Sequence, residues 1–486
     1  MKRFIKSTLL SLLLIFSMML PLIAGAQSEP ANTETIPHIS ITDAIDKAKQ
    51  SASESNNAKQ NNLPVIIDDP FDVESTHAIL VETTTDNILI QKNIHEKIAP
   101  GELAKLMTAI IASEYAMFDD VVTVSETAVK NSQSYNAVSR LKVGEQLTVR
   151  QLLYCLILDN SDVAAYALAE HITGSYADFA VLMNEKAKFI GAQNTNFTNP
   201  TGRYDKEQYS TVWDLYVISE YFMQNKDLLE ISSTVRYTLP VSEWRTSRTR
   251  FYTNNHLLSQ YKCKYYYYRY ADGFIAGNSE ATGNIISAGA SRGQGTMHLI
   301  FIGAGADPET SAEMYPAFAD AVKVFREAYT TYTIKTIVKK NQVMDEAELL
   351  HSFSRDYISL VSQSDIKAVV PKDTDISDYR IELSPIEKIM APVKPGDNLG
   401  TFEIYHEQDL VAIGTLTTDE TIRSNIILKI GYMIQTFFSF LAVKIILVLL
   451  VIAIIAYVIL TIRVNKQRIE KMKKKKQAQR NQNGKK

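Results

Sequence analysis

Residues 100–110 read PGELAKLMTAI, a Pro-Gly pair followed by an apolar run in which Leu103, Leu106, Met107 and Ile110 recur at helical spacing. The pattern predicts a helix from Gly101 to about Met117, with Glu102 and Lys105 one turn apart on a shared face. Just upstream, HAILVE (77–82), a TTTDN turn and ILIQKN (88–93) alternate as a β-hairpin. Downstream, TVRQLLYCLIL (148–158) and VAAYALAEHI (163–172) are two further helices separated by a polar break at 159–162. RYADGFIAGNSEATGNIISAGA (269–290) and MHLIFIGAGA (297–306) then read as strands joined by Gly-bearing turns. Strands at both ends of a helical middle predict one sheet assembled from distant parts of the chain with helices packed on it, an α/β (α+β) arrangement.

At 486 residues the chain is long enough for two or three domains and a sizeable core. From about Tyr332 the pattern changes. After a mixed stretch with room for one helix, residues 386–418 are short strands punctuated by Pro-Gly-Asp and Gly, a small all-β module. Residues 27–66, rich in Ser, Asn, Gln, Thr and Glu without apolar periodicity, read as a disordered leader.

Both ends carry membrane or targeting signals. Residues 1–26 have a basic start, an apolar stretch and Ala24-Gly25-Ala26, the shape of a secretory signal peptide, with an uncleaved anchor as the alternative. Residues 445–462, IILVLLVIAIIAYVILTI, contain no charge and match the length of a transmembrane helix. The following 463–486 hold eleven Lys or Arg against Glu470 alone, which marks a cytoplasmic tail suited to anionic lipid. Between body and span, 425–444 has the mixture of an amphipathic juxtamembrane segment. The expected location is the cell membrane, single-pass, with the body outside the cytoplasm.

Of the formal charge of −3, the tail accounts for +10 and residues 1–26 for +3, leaving −16 on residues 27–462. Such an acidic body excludes nucleic acid as its expected partner. Cys155, inside LLYCLIL, reads as a buried free thiol, a disulfide with Cys263 being the alternative. The scattered His and the two Cys show no metal-ligand spacing, and no cofactor is implied.

The order of segments resembles the low-molecular-mass penicillin-binding proteins of the D-alanyl-D-alanine carboxypeptidase family, over most of residues 70–420. The carrying phrases are APGELAKLMTA (99–109), VGEQLTVRQLLYCLILDNSDVAAYALAEHI (143–172), FTNPTGRYDKEQYSTVWDL (197–215), NNHLL (254–258), ADGFIAGNSEATGN (271–284) and APVKPGDNLGTFEIY (391–405). The resemblance implies a serine β-lactamase-like domain at 67–330 and a β-rich domain at 331–424, with peptidoglycan stem peptide or glycan as partner.

It also implies three motifs converging on one cleft, and all three are altered. PGELAK falls on Pro-Ala-Ser-Leu-Thr-Lys, so Glu102 stands at the nucleophile and Lys105 is kept. DNSDVAA places Asn160 and Asp162 where the family has Ser and Asn, with Ser161 between them. DGFIAG puts Ile275 and Ala276 where Lys and Thr belong and keeps Gly277. Trp213 and Asp214 follow the family, whereas Gln208 stands near a common His. Other Ser-x-x-Lys matches, at Ser139/Lys142, Ser259/Lys262 and Ser364/Lys367, do not open an apolar helix at the expected place. Glu102 and Lys105 are expected to pair with each other, and the cleft to carry about −1 where the family carries about +2. The sequence therefore reads as a non-catalytic family member that binds or scaffolds in peptidoglycan metabolism. The alternatives are a weak or altered serine-type D,D-carboxypeptidase and an interaction module with a vestigial cleft. KYYYYRYADG (264–273) reads as a twisted strand with Tyr on both faces, or as a glycan contact.

Overall fold

The computed structural model describes residues 71–132, 137–261, 263–279, 282–293, 295–304, 316–352, 354–428, 430–431 and 441–483. The expected signal peptide and leader, and half of the juxtamembrane segment, lie outside the described residues.

The hairpin forms as its alternation predicts: β1 (His77–Glu82) pairs with β2 (Asn87–Lys92), with a bulge at Leu80/Val81. The apolar run after Pro100 begins as a 3₁₀ turn (Gly101–Leu103) and continues as α1 (Ala104–Tyr115), whose residues 104–112 are all buried. A helix buried on every side is the centre of a layer, not its surface. A short pair, β3 (Val121–Thr123) and β4 (Gln146–Thr148), flanks α2 (Glu126–Asn131). Then come α3 (Val149–Asp159), opened by a Thr148/Gln151 capping box, α4 (Asp162–Thr173) and α5 (Tyr176–Ile190). The helical layer ends with α6 (Val212–Met223) and α7 (Lys226–Ser233).

A small hairpin, β5 (Arg236–Leu239) with β6 (Thr249–Tyr252), leads to β7 (Ala271–Ser279), β8 (Gly283–Arg292) and β9 (Gly295–Ala304). The sheet order is β2-β1-β9-β8-β7, all antiparallel, so the N-terminal hairpin and the late strands share one sheet as predicted. Helix α8 (Pro316–Thr331) packs on β8 and β9. Asp320 on α8 accepts bonds from the Ser75 amide (2.8 Å) and hydroxyl (2.7 Å).

The second half is β-rich, as expected: β10 (Tyr332–Val338), β11 (Val343–Leu350), β12 (Tyr357–Ser362), β13 (Ile366–Pro371), β14 (Tyr379–Pro385), β15 (Ile389–Met390), β16 (Gly400–His406) and β17 (Asp409–Thr417). The sheet order is β14-β16-β17-β12-β11-β15, with β10 and β13 paired separately around a core that includes Phe402, Ile404, Leu360 and Leu416. The mixed stretch given room for a helix holds strands and one 3₁₀ turn (Ile376–Asp378) instead. Pairing with β12 and β15 overrides the helical propensity of DEAELL in β11.

Residues 264–270 are also not a strand. They form turns, because Tyr266 stacks toward His256 and Phe318 while Tyr268 stacks on Phe325 at 5.5 Å, tying the chain to α8. Finally α9 (Leu441–Asn483) includes a stretch long and apolar enough to cross a membrane, exposed along its whole length. The helix does not stop at Ile462. It runs on through the basic tail, about 64 Å in all.

Asn87, in the first hairpin, donates from Nδ2 to the Val411 carbonyl (3.2 Å) and accepts from the Val369 amide (2.9 Å), joining the sheet to the β-rich half. With Asn87 buried, Asn87→Ala leaves both backbone groups unpaired and is expected to cost about 1–3 kcal/mol, read as a lower denaturation midpoint of the full chain in detergent.

Candidate active site

The polar break is built by helix-capping chemistry. Asn160 ends α3 in the left-handed conformation (φ 52°, ψ 34°), which Asn tolerates better than most residues. Ser161 is the N-cap of α4, its hydroxyl accepting from the Ala164 amide (3.3 Å), and Asp162 opens the first turn, where a carboxylate suits the helix dipole. With Ser161 1 % exposed and its oxygen engaged in the cap, the residue is occupied by structure.

Lys105 does not pair with Glu102 as expected. Its ammonium lies 3.1 Å from Asp162 Oδ1 and donates to the Thr201 carbonyl at 2.7 Å. The reason is tertiary: α4 brings Asp162 over the first turn of α1, whereas Glu102 leaves along the 3₁₀ turn toward β7. Loop 198–203 supplies the second partner. Asn199 Oδ1 accepts from the Thr201 amide and hydroxyl and from the Gly202 amide, and Gln208 holds the amides of 198 and 199 and the Arg203 carbonyl. A side chain on Gly202, at φ +83°, would meet the Gly101 carbonyl oxygen at 1.7 Å, so this close approach admits glycine alone. Gln208 thus organises the loop; Asp214, accepting from the Asn194 amide and Thr195 hydroxyl, does the same further on.

The third stretch is closed from both sides. Asn160 Nδ2 donates to the Ala276 carbonyl at 2.9 Å, bridging the helix break to β7. A methyl on Gly277 would lie 2.6 Å from Glu102 Cγ and Cδ and 2.8 Å from its Cβ, so the glutamate stem rests directly on the strand backbone there. Glu102 Oε2 is buried with no hydrogen-bond partner among the described residues. Ile275 and Ala276 are buried, at 0 % and 2 % exposed. The three stretches singled out in the sequence therefore do converge, through Lys105–Asp162, Asn160–Ala276 and Glu102–Gly277.

The profile for D-alanyl-D-alanine carboxypeptidase matches residues 63–307, about half the chain, and that for the penicillin-binding protein 5 C-terminal domain matches 332–424. The chain belongs to the D-alanyl-D-alanine carboxypeptidase family. Among relatives, D-alanyl-D-alanine carboxypeptidase DacF of Bacillus subtilis is 26% identical over 360 residues, 72% of this chain and 86% of the relative. DacD of Escherichia coli is 26% identical over 364 residues, 73% and 88% of the two chains. Penicillin-binding protein 5 of Haemophilus influenzae shares the fold, with TM-score 0.60 at 20% identity, covering 73% of this chain and 99% of that one.

Of the other Ser-x-x-Lys matches, Ser139 and Lys142 make no hydrogen bond to each other among the described residues. The Ser139 amide donates to Asp159, its carbonyl accepts from Arg245, and the Lys142 ammonium donates to the Trp244 carbonyl. Lys262 lies outside the described residues, and Ser364 and Lys367 are exposed in the β-rich half. Cys155 and Cys263 are free thiols; burial pushes the Cys155 thiol well up.

Sequence reading missed one constellation. Ser287 Oγ is 3.2 Å from His298 Nε2, and His298 Nδ1 is 2.9 Å from Glu220 Oε1, the order of a serine-hydrolase relay. Ser219 adds a further contact to Ser287 at 2.9 Å. Both Ser287 and His298 are 0 % exposed, so the chain of bonds ties β8 and β9 to α6 in the core. No spacing signal could have found it, since its members come from three elements.

Two outcomes follow from these contacts. Gly277→Ala should cost about 1–3 kcal/mol through overpacking, and part of that should vanish in a Glu102→Ala background, which removes Cγ and Cδ but keeps Cβ, a coupling read by a double-mutant cycle of denaturation midpoints. A fluorophosphonate probe should leave Ser287 unmodified in the native chain, as read by peptide mass spectrometry.

Proposed function

We propose that this protein is a membrane-anchored family member that keeps the fold without the acyl-transfer reaction and serves in peptidoglycan metabolism by binding or scaffolding. The observation that carries the reading is Glu102 lying on Gly277 while the Lys105 ammonium is engaged by Asp162 and the Thr201 carbonyl. In the family's pattern Glu102 holds the nucleophile position. A serine hydrolase stripped of its nucleophile loses about 10⁶ in turnover. The Lys105 ammonium meets two acceptors, the Asp162 carboxylate and the Thr201 carbonyl, and Glu102 offers it no hydroxyl to deprotonate. Ile275 supplies no charge for a peptide carboxylate, and Glu102 and Asp162 against Lys105 leave the cleft near −1, repelling an anion.

On this reading residues 67–330 form the carboxypeptidase-like domain and 331–424 the β-rich domain. Residues 445–462 cross the membrane, the body lies outside the cytoplasm, and the basic tail of α9 lies inside against anionic lipid. The partner class is peptidoglycan stem peptide or glycan.

The full chain in detergent, incubated with a fluorescent penicillin and with a peptide ending in D-Ala-D-Ala, is expected to show neither a covalent adduct nor released D-Ala. Either product would overturn the proposal. The combined variant Glu102→Ser, Asn160→Ser, Asp162→Asn, Ile275→Lys and Ala276→Thr is expected to regain penicillin acylation, because it clears Gly277 and the Ala276 carbonyl together. No gain would place the loss outside these five residues.

A further inference from the structure

Residues 236–270 hold seven Lys or Arg against one acid, Glu243, within a body whose formal charge is −16. One of the seven, Arg245, turns inward onto Glu145 and the Ser139 carbonyl. Arg236, Arg248, Arg250, Lys264 and Arg269 are exposed, and none makes an ion pair among the described residues.

The β5–β6 hairpin sorts this stretch into two faces. Tyr237 and Phe251 are cross-strand partners that turn inward, Phe251 buried and Tyr237 stacked on Tyr154 at 3.9 Å. The other face pairs Arg236 with Tyr252 and Thr238 with Arg250, and the exposed Arg248 lies just before β6. Tyr261 extends that face, its ring 6.5 Å from Tyr252. Tyr261 and Tyr265 are each 88 % exposed. The turn bearing Tyr265 is fixed from beneath by Tyr266 and Tyr268 on their aromatic partners, so the outward ring is presented without ordering a loose loop.

We infer that this face docks an anionic, phosphodiester-linked polyol polymer outside the membrane. Guanidinium groups match phosphate geometry and are the preferred cations for it. Arg236 and Arg250 are diagonal cross-strand neighbours, about 7–8 Å apart in such a pair, and a phosphodiester polymer with a three-carbon repeat carries its phosphates at a comparable interval. Exposed tyrosines offer ring faces to the carbon backbone and hydroxyls to its oxygens. The acidic remainder of the body confines the attraction to this face. The inference stands whether or not the cleft turns over substrate.

The test uses the full chain in detergent with fluorescent poly(glycerol phosphate), neutral dextran, and vesicles of phosphatidylglycerol. Binding to the polymer is expected to exceed binding to dextran and to weaken as salt is raised, and vesicle binding, which the basic tail supplies, is expected to be unchanged in the arginine variant below. Arg236→Glu, Arg248→Glu and Arg250→Glu together should lower polymer affinity at least about tenfold, and Tyr261→Ser with Tyr265→Ser about threefold or more. A control reversing the exposed Lys339, Lys340 and Lys388 of the β-rich half should change it by less than about twofold. Polymer binding no stronger than dextran binding, a larger loss of vesicle binding than of polymer binding in the arginine variant, no loss in the arginine variant, or an equal loss in the control would each overturn the inference.

Discussion

The buried Lys105 ammonium is where three separate parts of the chain are made to agree. It belongs to the first turn of α1, its ionic partner Asp162 opens α4, and its hydrogen-bond acceptor is the carbonyl of Thr201 in loop 198–203. The lysine side chain is 3 % exposed and the aspartate 13 %, so water screens the pair little. Breaking such a pair by removing one member leaves a buried charge uncompensated, a loss on the order of 3–5 kcal/mol. Because the pair sets α4 against α1, it also sets the break between α3 and α4, and thereby the direction in which Asn160 projects. The Asn160 amide then reaches the Ala276 carbonyl, and the edge of β7 is fixed in turn.

That edge is the natural place for an extended peptide to add to the sheet, since β7 is the last strand in its order and an edge strand presents unpaired backbone groups. Here the chain covers it with its own side chains. Asn160 takes the Ala276 carbonyl, Glu102 lies on Gly277, and α7 packs along the same strand. A peptide approaching this strand would have to displace an internal hydrogen bond and move the glutamate stem.

The local elements were legible because local chemistry decides them. The hairpin alternates, the Thr148/Gln151 capping box opens α3, and DNSD at 159–162 is a helix-stop and helix-start written in consecutive residues. The position of the three motif stretches in one cleft was legible only through the resemblance, since no spacing in a single chain brings 102, 160 and 277 together. What the sequence misled on was partner choice. Glu102 and Lys105 satisfy the i, i+3 rule, yet a buried carboxylate delivered by another helix outcompetes a neighbour free to turn away. The tyrosine run failed for a related reason. Its strand preference is real, but rings anchored on α8 dictate turns, and that contact lies about fifty residues downstream.

The glutamate and the glycine explain each other. With a Cβ at 277, three atoms of the Glu102 stem, its Cβ included, would sit at 2.6–2.8 Å. Gly277 thus leaves the room that Glu102 occupies. The space opposite Gly277 is filled by the chain itself. A serine alone at 102 would empty only the part of that space held by Cγ and Cδ and would leave Asn160 bonded to the strand and Ile275 buried. A cleft filled in this way directs the search for a ligand to the outer surface, where charge and exposed aromatic rings are unspent.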